Sequence, residues 1–358
     1  MPCRLRFYRI FIVLALLGLT ACSSIDYFSH LAKGQLTLLW EREKVSVLLE
    51  SQDVSDGIKS RLLLSQQLRL FAQNELALPV GNAYTAYTDL ERPYVVWNVY
   101  AAPPLSFDAY TWCYPFLGCL AYRGFYDEQR AEQAAKVLTD EGYEVKVRGV
   151  QAYSTLGFFD DPLLNTFMFK NEVAFVELLI HEISHRLIYI KDDTKFNENF
   201  ASAVAVLGAE QWYRKQNNKR LYMAYQKHKQ RYQNVVRFLL NFKTRLAKVY
   251  DDKTKTDNEK YLLKNKLFEQ LTRDYTLFKE RNGVDKRYDE RVLSMNNASL
   301  STLANYQELV PGFIALFDQQ NGNWTKFYEQ VERLAVLDKT VRHQTLVNLT
   351  KHNIPLNR

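Results

Sequence analysis

Apolar residues recur along this chain at spacings that change character twice. From residue 35 to about residue 90 they fall three or four apart, as at Leu62, Leu63, Leu70 and Phe71, which predicts helices, one of them starting at Asp53 or Ser55. Residues 94–100, Tyr-Val-Val-Trp-Asn-Val-Tyr, are rich in β-branched and aromatic types instead, and residues 143–147 alternate. Both predict strands, with a helix over 127–141 between them. Residues 149–157 form the candidate edge strand, which reads either as a docking edge for an extended peptide or as an ordinary protected edge. Next, residues 172–180 have the apolar density of a helix buried on most sides, and 186–190 continue it. Polar residues 191–195 make a loop, and a second helix begins near Glu198, with Asn197 as its cap, and runs to Trp212. Phe238, Phe242, Leu246 and Val249, then Leu263, Leu267, Leu271 and Phe278 beyond a polar break at 251–258, predict an antiparallel helical hairpin covering the buried pair. Residues 300–334 return to helical spacing.

This order makes the chain mainly α with a small β-sheet, an α+β fold. Its 358 residues, 47% of them hydrophobic, suffice for one large domain or two small ones, without repeats or a low-complexity linker. The segments read as a leader at 1–21, a tether at 22–34, N-terminal helices with a small α/β sheet at 35–150, a core at 151–215, the hairpin at 216–290 and a C-terminal helical part at 291–358. The formal charge of +7 falls to about +4 without the leader's three arginines, and basic residues alternate with acids, as in Glu41-Arg42-Glu43-Lys44. Solvated helix faces explain that pattern, and nucleic acid is not an expected partner.

The chemistry lies in the buried pair. Residues 181–185 read His-Glu-Ile-Ser-His, and Glu198 stands thirteen positions further on. Histidines at i and i+4 share one helical face, so both can reach one cation, and a returning second helix offers Glu198 as a third ligand. Glu182, beside the first histidine, is placed to act as a general base toward water. One buried histidine alone is ordinarily a satisfied core residue, and Glu198 alone could be a solvated acid. Two imidazoles on one apolar helix need a shared partner, and Zn²⁺ with ligands His181, His185 and Glu198 supplies it. His30, His228, His343 and His352 lack such spacing and read as ordinary surface residues.

Arg4, Arg6 and Arg9 precede an apolar run of ten residues, 10–19, which is too short to span a bilayer but suits an export signal. It closes in Leu19-Thr20-Ala21-Cys22, which resembles the lipobox of bacterial lipoproteins, with Cys22 as the acylated residue. Ser23 and Ser24 follow it, a context that resembles an outer-membrane destination. The expected location is therefore the cell envelope, lipid-anchored at the periplasmic face of the outer membrane. Cys113 and Cys119 remain for the mature body, flanking Pro115 and Gly118. In an oxidising compartment they read as one disulfide, and a second metal site is the less supported alternative.

Together with the lipobox, residues 92–99 (Arg-Pro-Tyr-Val-Val-Trp-Asn-Val), Trp112-Cys113 to Gly118-Cys119, Tyr122-Arg123-Gly124, residues 152–157 (Ala-Tyr-Ser-Thr-Leu-Gly), the His-Glu-Ile-Ser-His helix with Phe196-Asn197-Glu198, and Asn296-Asn297-Ala298 resemble the predicted aminopeptidase family of bacterial zinc lipoproteins. The likeness covers nearly the whole mature chain. It implies a zincin-like metallopeptidase core, with a peptide or protein as substrate. An electrophile should face the developing oxyanion, and Tyr306 and Tyr153 are the candidates, although either of these among 23 tyrosines can be purely structural. A noncatalytic or chaperone-like envelope scaffold on the same fold is the alternative function.

Overall fold

The computed structural model describes residues 25–114, 118–152 and 154–352. Its first helix, α1, covers residues 25–40 and so begins inside the stretch expected as a tether. Tyr27 fixes it there: the buried ring lies against Tyr114 and Phe125, and the hydroxyl donates to the Gly124 carbonyl. β1 (Glu43–Lys44) and α2 (Val45–Glu50) lead to α3 (Asp56–Asn74), whose N-terminus is capped by Ser55. The helical expectation fails from there to residue 90. Pro79 and left-handed backbone at Ala77, Gly81 and Tyr84 interrupt the chain, and Leu76, Leu78, Val80 and Ala83 are buried in an irregular wrap before β2 (Ala86–Thr88).

β3 (Val96–Ala102), a hairpin of β4 (Trp112–Tyr114) and β5 (Gly118–Leu120), β6 (Arg123–Phe125), α4 (Glu128–Asp140) and β7 (Glu144–Val150) form the middle third. The disulfide between Cys113 and Cys119 joins directly opposed positions of that hairpin. The main sheet has the order β6-β3-β7, antiparallel throughout, and every residue of β3 is buried. The strand's period of two divides them. Trp97, Val99 and Ala101 pack with Ala131, Ala135 and Leu138 of α4, whereas Asn98, Tyr100 and Ala102 face the other way.

β7 is thus an edge strand, but only Gly149 and Val150 of the expected 149–157 belong to it. The chain then turns off the sheet because the Asp161 carboxylate accepts from the Thr155 amide and hydroxyl, while Leu156 and Gly157 take left-handed conformations.

β8 (Leu163–Leu164) pairs in parallel with β2, and α5 (Asn165–Met168) precedes the buried helix pair, α6 (Glu172–Ser184) and α7 (Thr194–Lys215). Phe175, Val176, Leu179, Ile180 and Ile183 bury α6, each worth about 2 kcal/mol. Close approach of the pair depends on Gly208: a Cβ there would stand 2.7 Å from Leu76 and 3.2 Å from Ile180. The expected hairpin is α8 (Lys219–Tyr250) with α9 (Asp257–Asn282), the latter opened by a Thr256–Glu259 capping box. After α10 (Asp289–Leu293), the single helical stretch expected over 300–334 is three helices, α11 (Asn297–Gln307), α12 (Val310–Gln319) and α13 (Trp324–Ala335), followed by α14 (Lys339–His352). Glu308 and Leu309 make one break, with Pro311 in the first turn of α12, and left-handed Asn321 and Gly322 make the next. The fold is mostly helical, 63%, with small sheets, as an α+β class requires.

Two neighbouring asparagines hold α11 against the sheet. Asn296 caps α11 and donates to the Val145 carbonyl; Asn297, fully buried, donates to the carbonyls of Pro103, Pro104 and Ser106 and accepts from the Tyr250 hydroxyl. The Glu144 carboxylate receives the Asn297 amide and the Lys264 ammonium. The hairpin, the sheet edge and α11 therefore meet at one polar knot in an otherwise apolar contact.

Candidate metal centre

Asn171 caps α6 by accepting the Ala174 amide, and His181 lies in the last turn. The helix stops at Ser184 and does not run on to residue 190. The Ser184 hydroxyl donates to the carbonyls of Ile180 and His181, and the next amides turn inward, Arg186 to Ile183 and Leu187 to Ser184. His185, at the C-cap, keeps α-helical backbone, so it still lies one turn on from His181, the two rings edge to face with centroids 4.9 Å apart.

The second helix starts earlier than its sequence suggests. Asp193 is the cap and accepts the Phe196 amide, so Glu198 falls in the second turn. Asn197 is instead a brace inside the helix, accepting the Ile190 amide and donating to the Ile190 carbonyl. Asn199, fully buried, donates to the Asn305 carbonyl and accepts the amides of Leu309 and Val310. The residues on either side of Glu198 thus fix the loop from α6 and the junction of α11 with α12. Asp193 itself is buried and takes the Arg342 guanidinium at 2.7 Å and the His343 ring at 2.9 Å. His343 is accordingly no ordinary surface residue, and α14 reaches the loop between α6 and α7. The Cys119 amide donates to Asp192 in the same loop, so the disulfide hairpin docks there too.

This bracing brings three ligand atoms together. The two histidine Nε2 atoms are 3.2 Å apart, and the Glu198 Oε2 is 3.3 Å from one and 3.6 Å from the other. A tetrahedral ion with bonds of about 2.0–2.1 Å separates its ligand atoms by roughly 3.3 Å, so the spacing fits a shared metal ion. Among the described residues, His181, His185 and Glu198 are the group of three that could hold one. The His185 Nδ1 is buried with no hydrogen-bond partner among the described residues, so packing and whatever meets Nε2 orient that ring.

Electrostatics separates the two carboxylates. Burial alone would raise Glu198, but His185 and His181 outweigh it and hold its carboxyl at about 2. Glu182 is also buried, and desolvation lifts it above its ordinary value despite the pull of His181 and His185. One carboxylate is therefore a fixed anion and the other a better proton acceptor.

Tyr306, on α11, stacks its ring toward His181 with centroids 6.4 Å apart. Burial and the negative charge of Glu198 keep its hydroxyl protonated well above the usual range. Tyr100 and Tyr122, whose rings lie 6.0 Å apart, are under the same two influences, and Tyr100 accepts a hydrogen bond from Asn98. Neither is singled out by sequence, although Tyr100 lies on the inward face of β3 once the strand is recognised. Tyr153 and Cys22 lie outside the described residues.

With this geometry, comparison with known proteins is specific about family. The family model described as "Putative aminopeptidase" matches residues 26–346. The chain belongs to that family. Membership suggests peptidase activity, and the matched span takes in the sheet, the helix pair and all of α11 to α13. No curated protein and no solved structure matches the chain.

Removing Arg342 leaves Asp193 buried and only partly compensated. Arg342→Met should cost about 3 kcal/mol, read as a lower urea midpoint at neutral pH. The carboxyl of Asp193 is held below its ordinary value: burial opposes this, but His343 and Arg342 prevail. The stability it contributes is thus present above the unfolded pKa, about 3.9, and drains away as pH falls through the lower folded one. The gap between wild type and variant should narrow below about pH 4, and a gap independent of pH would contradict this role for the pair.

Proposed function

We propose that this chain is a zinc-dependent peptidase of the bacterial envelope with a zincin-like core, most simply an aminopeptidase as its family is described. The observation that carries this reading is the convergence of two imidazole nitrogens and a carboxylate oxygen within 3.6 Å, beside a second buried carboxyl of opposite electrostatic character. His181, His185 and Glu198 would hold the ion. Zinc, when bound, supplies a Lewis acid that makes water a usable nucleophile near pH 7, at about the pKa it imposes. Glu182 then takes the proton of the attacking water and carries it to the leaving amine; its raised pKa suits both halves of that transfer. Tyr306, and Tyr100 behind it, offer protonated hydroxyls to the oxyanion that forms on the scissile carbonyl. Tyr153 remains a candidate for the same role on sequence grounds.

The envelope location rests on Leu19-Thr20-Ala21-Cys22. The acyl chains on Cys22 would tie the protein to a membrane while the body stays in the periplasm, and no helix among the described residues is long and apolar enough to cross a membrane itself.

Two experiments test the proposal. Glu182→Gln keeps size and removes the base, so metal content and melting temperature should stay near wild type while peptide hydrolysis falls by about 10²–10⁴. Turnover at the wild-type rate would remove Glu182 as the base, and no hydrolysis by the zinc-loaded wild type would favour the scaffold alternative. Cys22→Ser should abolish incorporation of labelled fatty acid and shift the protein from the membrane to the soluble fraction; equal labelling of both proteins would remove the anchor from the account.

A further inference from the structure

Beside the candidate centre lies a pocket whose charge is one-sided. Tyr100, Lys146, Arg148, Arg291, Ser294 and Thr302 are among its lining residues, and no carboxylate lines it. Strand register explains the arrangement. Tyr100 is opposite Lys146 and Asn98 is opposite Arg148, and opposed residues share a face, so both cations project on the side of the sheet that α11 covers. Arg291 reaches the same space from α10.

Such a cluster needs a reason. Among the described residues, none of the three cations has a carboxylate within ion-pair distance, although salt bridges are common elsewhere in this protein. The Lys146 ammonium donates to the neutral Ser294 hydroxyl at 3.1 Å. Arg148 is half-buried, and the charge that acts on it most strongly is another cation, Arg291; Tyr100, Tyr306 and Tyr232 act on it as well. Burying an arginine against a like charge is unfavourable unless a guest anion completes the set. The pocket also adjoins the reacting region: Tyr100 forms its wall, and α11, which supplies Thr302 to the lining, carries Tyr306 one turn further on, whose ring faces His181.

We propose that this cationic pocket is a substrate subsite that takes a carboxylate of the peptide, with Arg148 and Arg291 as its principal binding groups and Lys146 at its mouth. Guanidinium groups pair with carboxylates through two parallel hydrogen bonds, which would orient the peptide as well as hold it. The inference rests on the peptidase reading and names its substrate class, namely peptides carrying a carboxylate near the scissile bond. That carboxylate can be the C-terminal one or an Asp or Glu side chain.

The test uses full-length mature protein loaded with zinc, with Glu182→Gln as the host for binding measurements so that nothing is consumed. Three dansylated tripeptides serve as probes: a free acid, its C-terminal amide, and the amide with Glu in place of Gln. Fluorescence anisotropy should show one or both anionic probes binding at least about 10-fold more tightly than the neutral amide, the usual worth of a charge-assisted contact. Which probe benefits identifies the source of the carboxylate. The advantage should shrink to within about 2-fold on adding Arg148→Gln or, separately, Arg291→Gln, and shrink partway with Lys146→Gln, which leaves both arginines intact. No preference for an anion, no binding of any probe, or a preference that survives both arginine substitutions would overturn the subsite. Hydrolysis by the Glu182-containing protein is read separately. Anion-selective binding without any cleavage would leave the pocket standing and remove the peptidase reading, whereas cleavage without anion selectivity would do the reverse.

Discussion

Glu198 is a carboxylate carried on a helix packed by Phe196 and Phe200, and it stays ionised in that setting because two imidazoles stand within 3.6 Å of it. The rest of the structure is organised around keeping that arrangement in place. A bare buried carboxylate would be neutralised by desolvation, and two bare imidazoles meeting nitrogen to nitrogen at 3.2 Å would need a proton or a cation between them. Each of the three groups is tolerable only because of the other two, and a shared metal ion satisfies all of them together.

The positioning is shared among polar braces far apart in sequence. Asn197 ties the start of α7 to the end of the preceding loop, and Asn199 ties its next turn to α11 and α12. Asp193, with Arg342 and His343, joins the same loop to the last helix. Asn297 links α11, which carries Tyr306, through its amide to Glu144 of β7 and through its side chain to the loop that follows β3, the strand that carries Tyr100. Apolar packing supplies most of the stability, but it is not directional, and these hydrogen bonds select the one register in which the two imidazoles and Glu198 come together with Tyr306 beside them.

Much of this was legible in the sequence where the signal is local. The i, i+4 histidines, the helix pair, the hairpin with its polar break and the opposed cysteines depend on neighbours a few residues apart, and the structure brings each of them together. Helix limits were less legible. Ser184 turns its own helix off, Asp193 pre-empts Asn197 as a cap, and Pro79 with left-handed Tyr84 defeats an apolar periodicity that is real but belongs to a buried loop. Long-range pairings left no mark at all. Nothing near His343 announces Asp193, and nothing near Arg148 announces Arg291, because those meetings are products of the tertiary fold. Tyr100 lies between these extremes, since strand alternation gives its face but not the site behind it.

The claim on which everything else rests is that His181, His185 and Glu198 form one metal centre. Zinc K-edge absorption on protein dialysed against trace metal, with elemental analysis of the same sample, tests it most directly. The account predicts one zinc per chain, bound by two imidazole nitrogens and at least one oxygen at about 2.0–2.2 Å, and no stoichiometric zinc once both histidines are alanine. Retention of stoichiometric zinc by the double variant, or a wild-type spectrum without imidazole scattering, would contradict it.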